Sequence, residues 1–464
     1  VDAERHRALR AQIEWELAVC ANAAGDWGSA ARYATDAAQR FRSLGEQVFA
    51  LQTDGLAAMA LEMIGENDLA WQLRLRTFSG LSAAGQNALL ATSIHTAAMT
   101  LDATGHSAAA ASVADLCASM NLDVSQGPFY AANSARYAAR SGDIHRAQQA
   151  IARARADVQR VKDPAIRETI GTQIELADAT GASGSDARSA VAALDRIIRR
   201  FAAGDVRIDL PDAYLQRARA RGASGDETGA LADYGAALQE VEKQRTTLSN
   251  AESRLRFLDV ATHIIEETVD LRLMRGDVAG AFAVADRART LFDPQPANAA
   301  SSIPTPREGV LVVEYTVLPQ RTVAFCIARG RIAAESVPIE RRELEARVSA
   351  FAERMRRRVR VEEIRPEASA FRTLLIEPLR PHLAGVRELI IVPDRQLHAL
   401  PFAALWNEET KQYLVEEFTL RFAPSATLSR DFDVASQQHA VLVIADPPAG
   451  TKPQLPASRE EAIA

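Results

Sequence analysis

Through residues 1–292 apolar side chains recur at steps of three, four and seven, the spacing that lines one side of an α-helix. After Gly276 the positions Val278, Ala281, Phe282, Ala285, Ala288, Leu291 and Phe292 fall on one such stripe, and after Gly142 the positions Ile144, Ala147, Ile151, Ala154 and Val158 do the same. Loop-type glycines punctuate the stripes at 25, 65, 105, 142, 184, 225 and 276, at spacings of 40, 40, 37, 42, 41 and 51 residues. Five residues beyond them stand Ala30, Ala70, Ala110, Ala147, Ser189, Ala230 and Ala281, alanine in six of the seven. The physical reading is a glycine that ends one helix in a left-handed cap and an alanine that lets the next helix approach closely. About seven helical hairpins are predicted over residues 1–292. One hairpin cannot bury its own apolar face, so the units stack into an α-solenoid with a concave surface.

The pattern then changes. Residues 293–308 hold four prolines and no stripe, which predicts a linker. From residue 309 the period becomes two, with strands predicted at 310–318, 321–328 and 332–337 and turns at Pro319-Gln320 and Arg329-Gly330. Helices are predicted at 341–362 and 366–379. A strand buried on both faces is predicted at 388–393, and further strands at 414–422 and 440–445. Residues 309–464 thus read as an α/β layer.

Composition narrows the function classes. The 464 residues are 47% hydrophobic but 6% aromatic, and 68 of the first 300 are alanine, which suits close-packed helices rather than β-sandwiches. Lys plus Arg is 54 against 60 for Asp plus Glu, a net charge of −6, which argues against direct nucleic-acid or anionic-membrane binding. Arg354, Arg356, Arg357, Arg358 and Arg360 form one basic run, but Glu343, Glu345, Glu353, Glu362 and Glu363 surround it, as on a solvated helix face. The cysteines Cys20, Cys117 and Cys326 are too sparse for a disulfide framework or a Cys-based zinc site and suggest a reducing, cytoplasmic setting. No apolar run has the length of a membrane span, the first residues lack a signal-peptide core, and the missing Met suggests a trimmed N-terminus. There is no Gly-x-x-x-x-Gly-Lys, His-Glu-x-x-His or Gly-x-Ser-x-Gly motif, and no metal or organic cofactor is expected.

The turns Gly25-Asp26-Trp27-Gly28-Ser29-Ala30, Gly142-Asp143-Ile144-His145-Arg146-Ala147 and Gly276-Asp277-Val278-Ala279-Gly280-Ala281 resemble the Gly-Asp turn of tetratricopeptide repeats. The period departs from that family, where it is about 34 residues. The resemblance implies a protein or peptide partner bound in the solenoid groove.

The stretch Leu389-Ile390-Ile391-Val392-Pro393-Asp394-Arg395-Gln396-Leu397-His398-Ala399-Leu400-Pro401-Phe402 resembles the signature of CHAT domains, caspase-like modules that follow tetratricopeptide arrays. Tyr413-Leu414-Val415-Glu416-Glu417, Ala423-Pro424-Ser425, Asp446-Pro447, Leu455-Pro456 and Glu460-Glu461-Ala462 add to it. The fold class expected is mostly α: a tetratricopeptide-like α-solenoid followed by the N-terminal part of a caspase-like α/β domain.

That family implies a cysteine endopeptidase with a Cys-His dyad, the His in a His-Gly turn and the Cys in an Ala-Cys step, both beyond the Glu-Glu-Ala segment. No histidine here precedes glycine, and Cys326 follows Phe325. The dyad is therefore expected beyond Ala464 and the chain by itself inert. A thiol nucleophile needs a neighbouring imidazole to activate it; Cys326, in an alternating strand with Ala324 and Ala328 on its face, reads as a packing thiol, and Cys20 and Cys117 as core of the repeats. Asp394 and Arg395 follow the buried strand, where α/β folds place ligand contacts, although a turn-capping Asp fits that position better. His398 is either a cleft residue or a structural imidazole. Asp446 ends the next strand and is open to the same two readings as Asp394. These four are the substrate-cleft candidates, and no catalytic or metal residue is assigned. The function expected is a regulatory solenoid on a caspase- or separase-like peptidase. The alternatives are a non-catalytic scaffold and a subunit of a larger effector complex.

Overall fold

The computed structural model describes residues 6–427, apart from breaks at 25, 65, 104, 121, 123–124, 183–185, 204–208, 246–250 and 291–302. Two units divide the chain, Val1–Asn298 and Ala299–Ala464.

The described part of the first unit is built from α1 (Arg7–Ala24), α2 (Trp27–Ser43), α3 (Gln47–Met63), α4 (Asn67–Ala83), α5 (Asn87–Ala103), α6 (Ser107–Ser119), α7 (Gln126–Arg140), α8 (Ile144–Val158), α9 (Pro164–Ala182), α10 (Ala187–Ala203), α11 (Leu210–Ala223), α12 (Glu227–Arg245), α13 (Ala251–Met274) and α14 (Val278–Thr290). Odd and even helices pair into seven hairpins, matching the repeat period. Gly105, Gly142, Gly225 and Gly276 have φ of +80°, +82°, +84° and +73°, the left-handed cap expected of them. Gly25, Gly65 and Gly184 lie outside the described residues.

An aspartate completes five of the seven turns, while Glu66 and His106 stand at the cap position of the other two without a side-chain cap. The Asp143 N–H donates to Ala138 O (3.0 Å), closing α7, while its Oδ1 accepts the Arg146 N–H (3.0 Å), opening α8. Asp26, Asp226 and Asp277 do both jobs in their own turns, and Asp186 caps α10 through the Ser189 N–H (3.2 Å). These hydrogen bonds hold the Asp26, Asp186 and Asp277 carboxyls below the usual range. The residue four beyond the cap position is Ala30, Ala70, Ala110, Ala147, Ala190, Ala230 and Ala281, each at most 1% exposed. Counted from the cap rather than the glycine, the Ser189 exception disappears. Gly184 is followed by Ser185 before Asp186, so the glycine and not the alanine is displaced.

The two rows of helices differ in burial. Contacts that skip a helix join odd members, as in α1 with α3, α3 with α5, α7 with α9, α9 with α11 and α11 with α13. Residues 128–140 of α7, 170–182 of α9, 210–221 of α11 and 261–273 of α13 include no exposed position, whereas α10 exposes Arg188, Ala192, Arg196 and Arg199 on one side. The odd helices thus form an inner row without a solvent face over these stretches.

Polar side chains tie that row together. Asp102 of α5 pairs with Arg140 of α7, whose Nη2 lies 3.3 Å from Asp212 of α11. Arg136 of α7 reaches the same carboxylate at 3.4 Å and donates to Asn133 at 2.9 Å. Gln216 donates to Asp212 (2.8 Å) and accepts from Arg219 (3.2 Å), which pairs with Glu267 of α13 at 2.6 Å. The chain ends at Tyr234 of α12, whose hydroxyl donates to Glu267 (2.8 Å). Burial alone would weaken the charges of Arg136 and Glu267, but Asp212 and Arg219 outweigh it and both stay ionised. Cys20 is exposed, not core as expected. It lies with Leu9, Ile13 and Leu17 on the side of α1 turned away from α2 and α3.

The second unit holds β1 (Val310–Val317), β2 (Thr322–Ala328), β3 (Arg331–Val337), α15 (Arg341–Arg356), α16 (Val361–Leu375), β4 (Glu388–Val392), β5 (Trp406–Asn407), β6 (Gln412–Tyr413), α17 (Leu414–Glu417) and β7 (Thr419–Phe422), with 3-10 turns at Glu377–His382, Arg395–Ala399 and Phe402–Ala404. Five strands form one sheet in the order β3-β2-β1-β4-β7. The first three are antiparallel, as predicted, and β1, β4 and β7 run parallel. Arg329 and Gly330, both at positive φ, make the tight turn between β2 and β3. One face of the sheet, with Leu311, Val313, Tyr315 and Ile391, packs on Val348 and Phe351 of α15 and Phe371 and Leu375 of α16.

Two predicted elements are redrawn. The helix expected to 362 stops at Arg356, because Arg358 takes φ +54°, and α16 then carries Pro366 with the loss of one backbone hydrogen bond. The strand expected at 414–422 begins only at Thr419. Glu416 accepts the Tyr413 N–H (2.7 Å) and starts the short helix α17 instead. Predicted strand 440–445 lies outside the described residues.

Packing at the cap-plus-four alanine is tested by Ala110→Leu, with the exposed Ala109→Leu as control. Inserting a larger side chain where none fits is expected to cost about 1–3 kcal/mol in urea unfolding; the control should change stability by less than about 0.5 kcal/mol.

Candidate functional site at the carboxyl ends of the parallel strands

Because β1, β4 and β7 are parallel, their carboxyl ends lie along one edge, the place where α/β folds position ligand contacts. Val392 pairs with Glu314, so Pro393 and Asp394 continue beside the end of β1. Asp394 Oδ2 accepts the Val317 N–H at 2.7 Å, strapping the end of β4 to the end of β1. Arg395 has φ +50° and turns the chain into the 3-10 turn. Leu397, Leu400 and Phe402 are buried and anchor that turn, which leaves Arg395 and His398 exposed. Gln396 fixes its flank by donating to Ser349 of α15 (3.1 Å). On the other side the Ala426 N–H donates to Glu314 Oε2 (3.1 Å), tying the loop after β7 back to β1.

The structure therefore brings Asp394, Arg395 and His398 to one edge, with different duties. Asp394 holds backbone. Arg395 and His398 are exposed on the turn that follows β4. Asp446 lies outside the described residues.

The cysteines are elsewhere. Cys326 of β2 stands opposite Val313, four residues before Val317, which is roughly 13 Å along a strand from the carboxyl edge. Its Sγ is 3.8 Å from Ala324 O, and burial pushes the thiol up to about 12, so it stays protonated at neutral pH. Cys117 of α6 is likewise pushed up to about 12 by burial, with its Sγ 3.2 Å from Ala91 O.

Several polar residues that shape this unit escaped sequence reading. Arg372 of α16, 7% exposed, pairs with Glu417 of α17 at 2.8 Å, and Glu417 also accepts from Asn407 of β5 (2.9 Å). Glu388 at the start of β4 is gripped by Arg307 (2.5 Å) and by Arg421 of β7 (3.1 Å). Burial raises its carboxyl, but the two guanidinium hydrogen bonds outweigh that and hold it below the usual range. The available signal was a charge inside an apolar strand, as in Val313-Glu314-Tyr315 and Arg387-Glu388-Leu389.

An α/β unit with a parallel core and an antiparallel hairpin thus follows a row of stacked helical hairpins. Residues 365–464 match the family model described as CHAT domain, a caspase-like, peptidase-related module. The chain carries a tetratricopeptide-like helical array and, after it, a CHAT domain. No curated protein matches the chain. Among the described residues no helix is long and apolar enough to cross a membrane.

The strap at the strand ends is tested with Asp394→Ala and Asp394→Asn. Removing the acceptor leaves the Val317 N–H without its partner and is expected to destabilise the second unit by about 1–3 kcal/mol in thermal or urea melts, while the amide, which still accepts, should cost less than half of that.

Proposed function

We propose that the chain is the sensing and scaffolding portion of a regulated cysteine endopeptidase, in which the solenoid receives a protein or peptide partner and the CHAT unit supplies the sheet on which the chemistry is mounted. The CHAT match over residues 365–464, on a parallel-stranded unit behind a helical array, is the observation that carries this reading. In this reading a cysteine thiolate attacks a peptide carbonyl, a histidine takes and returns the proton, and backbone N–H groups hold the oxyanion. Cys326 and Cys117, with thiols pushed up to about 12, are unsuited to be that nucleophile, and neither a His-Gly nor an Ala-Cys step occurs among the 464 residues. The dyad is accordingly assigned to residues outside this sequence, and Arg395 and His398 to the rim of the cleft rather than to the reacting atoms.

The test compares the 464-residue chain with the gene's full-length product on an unfolded protein substrate. Cleavage by the full-length product that iodoacetamide abolishes, together with none by the 464-residue chain, is the expected result. Full-length protein that binds its partner without thiol-dependent cleavage would contradict it.

A further inference from the structure

The last hairpin of the solenoid does not only stack on its predecessor. α13 packs on α11, α12 and α14, and it also touches α5 and α1, which belong to the third and first hairpins. A helix in the final hairpin would ordinarily keep one side open to solvent. Residues 261–273 of α13 nonetheless include no exposed position, and Met274 is the first. Burial runs around the helix. Ala261, Ile264 and Leu271 join the core with Leu215 and Tyr234, while Glu266, Thr268 and Val269, at other angles, are also buried.

The middle of α13 is acidic, Glu266-Glu267-Thr268-Val269-Asp270, and Glu267 within it meets Arg219. Glu267 accepts hydrogen bonds from Arg219 of α11 (2.6, 3.0 and 3.1 Å) and joins the polar chain that runs through Gln216 and Asp212 to Arg140 and Arg136. Arg219 of α11 thus offers a guanidinium, and α13 answers it with the Glu267 carboxylate.

We propose that α13 is a displaceable member of the inner row, held by the helices around it, and that the partner sensed by the solenoid is an acidic amphipathic helix that takes its place. The proposal rests on the sensor reading given above. Withdrawal of α13 leaves Arg219 without its carboxylate, which is costly unless an incoming carboxylate replaces it. That requirement makes exchange for a helix of like charge favourable and exchange for an apolar or basic helix unfavourable. A filled site also lowers the apparent affinity of any competitor by the fraction of molecules in which α13 is withdrawn, so weakening the internal contact strengthens external binding.

The probe is a fluorescein-labelled peptide with the sequence of residues 261–274, titrated into the 464-residue chain and followed by fluorescence anisotropy. Glu267→Arg in the chain sets two guanidinium groups against each other and should raise affinity for the unmodified peptide by about tenfold or more over the unsubstituted chain. The Arg219→Glu/Glu267→Arg chain should return to weak binding, and a peptide carrying the arginine at its Glu267 position should not bind the Glu267→Arg chain. Equal affinity of the peptide for all three chains would overturn the proposal. Amide hydrogen exchange on the unsubstituted chain makes the test independent of any substitution. Residues 261–273 should exchange through an opening that leaves α7 and α9 protected; exchange of all three helices in one global event would overturn it. Both experiments read occupancy rather than proteolysis, so tight peptide binding with no effect on cleavage by the full-length product would remove the sensor role and leave the displaceable helix standing.

Discussion

The arginines of α7 need carboxylates, and the carboxylates that meet them lie on helices that are not their chain neighbours. Arg140 bridges Asp102 of α5 and Asp212 of α11, and Arg136 shares the second of these. A stacked array in general is held by contacts between successive units only. Here a nearly solvent-free guanidinium fixes the distance between hairpins three, four and six. Burying such a charge is tolerable only when it is paired and hydrogen-bonded, so the inner row must close around it. The absence of exposed positions in residues 128–140, 170–182, 210–221 and 261–273 follows from that closure.

Outer and inner helices obey different rules, and this decides what could be read from the sequence. Even helices such as α8 and α10 bury one stripe, Ala147, Ile151, Ala154 and Val158 in the first case, and their 3.6-residue period was plain. Odd helices such as α11 bury Leu210, Asp212, Ala213, Leu215 and Gln216 on every side and show little period. The turns were legible because an alanine recurs four residues after the cap position in all seven and an aspartate occupies the cap position in five. The network was not, because Arg140 and Asp212 are 72 residues apart and nothing local marks them as partners.

In the second unit the strand runs betrayed β1 to β4 and the antiparallel pairing of the first three, but not the parallel pairing of β4 with β1. Local competition misled at α17, where the Glu416 cap overrode an apolar run that looks extended. Of the candidate site residues, Asp394, Arg395 and His398 do share the carboxyl edge, yet Asp394 turns out to be a fastening of the backbone. Glu417 lies within the recognised signature and works as a clamp between Arg372 and Asn407. In this unit a signature residue can mark architecture as readily as chemistry.

The interior ion network is probed most directly by a double-mutant cycle on Arg140 and Asp212, using Arg140→Met and Asp212→Leu singly and together in urea unfolding of the solenoid. A closed inner row predicts that the double variant is more stable than the sum of the two single losses, by a coupling of about 1 kcal/mol or more. Additive losses, with no coupling beyond about 0.3 kcal/mol, would contradict it and leave a solenoid held by neighbouring hairpins alone.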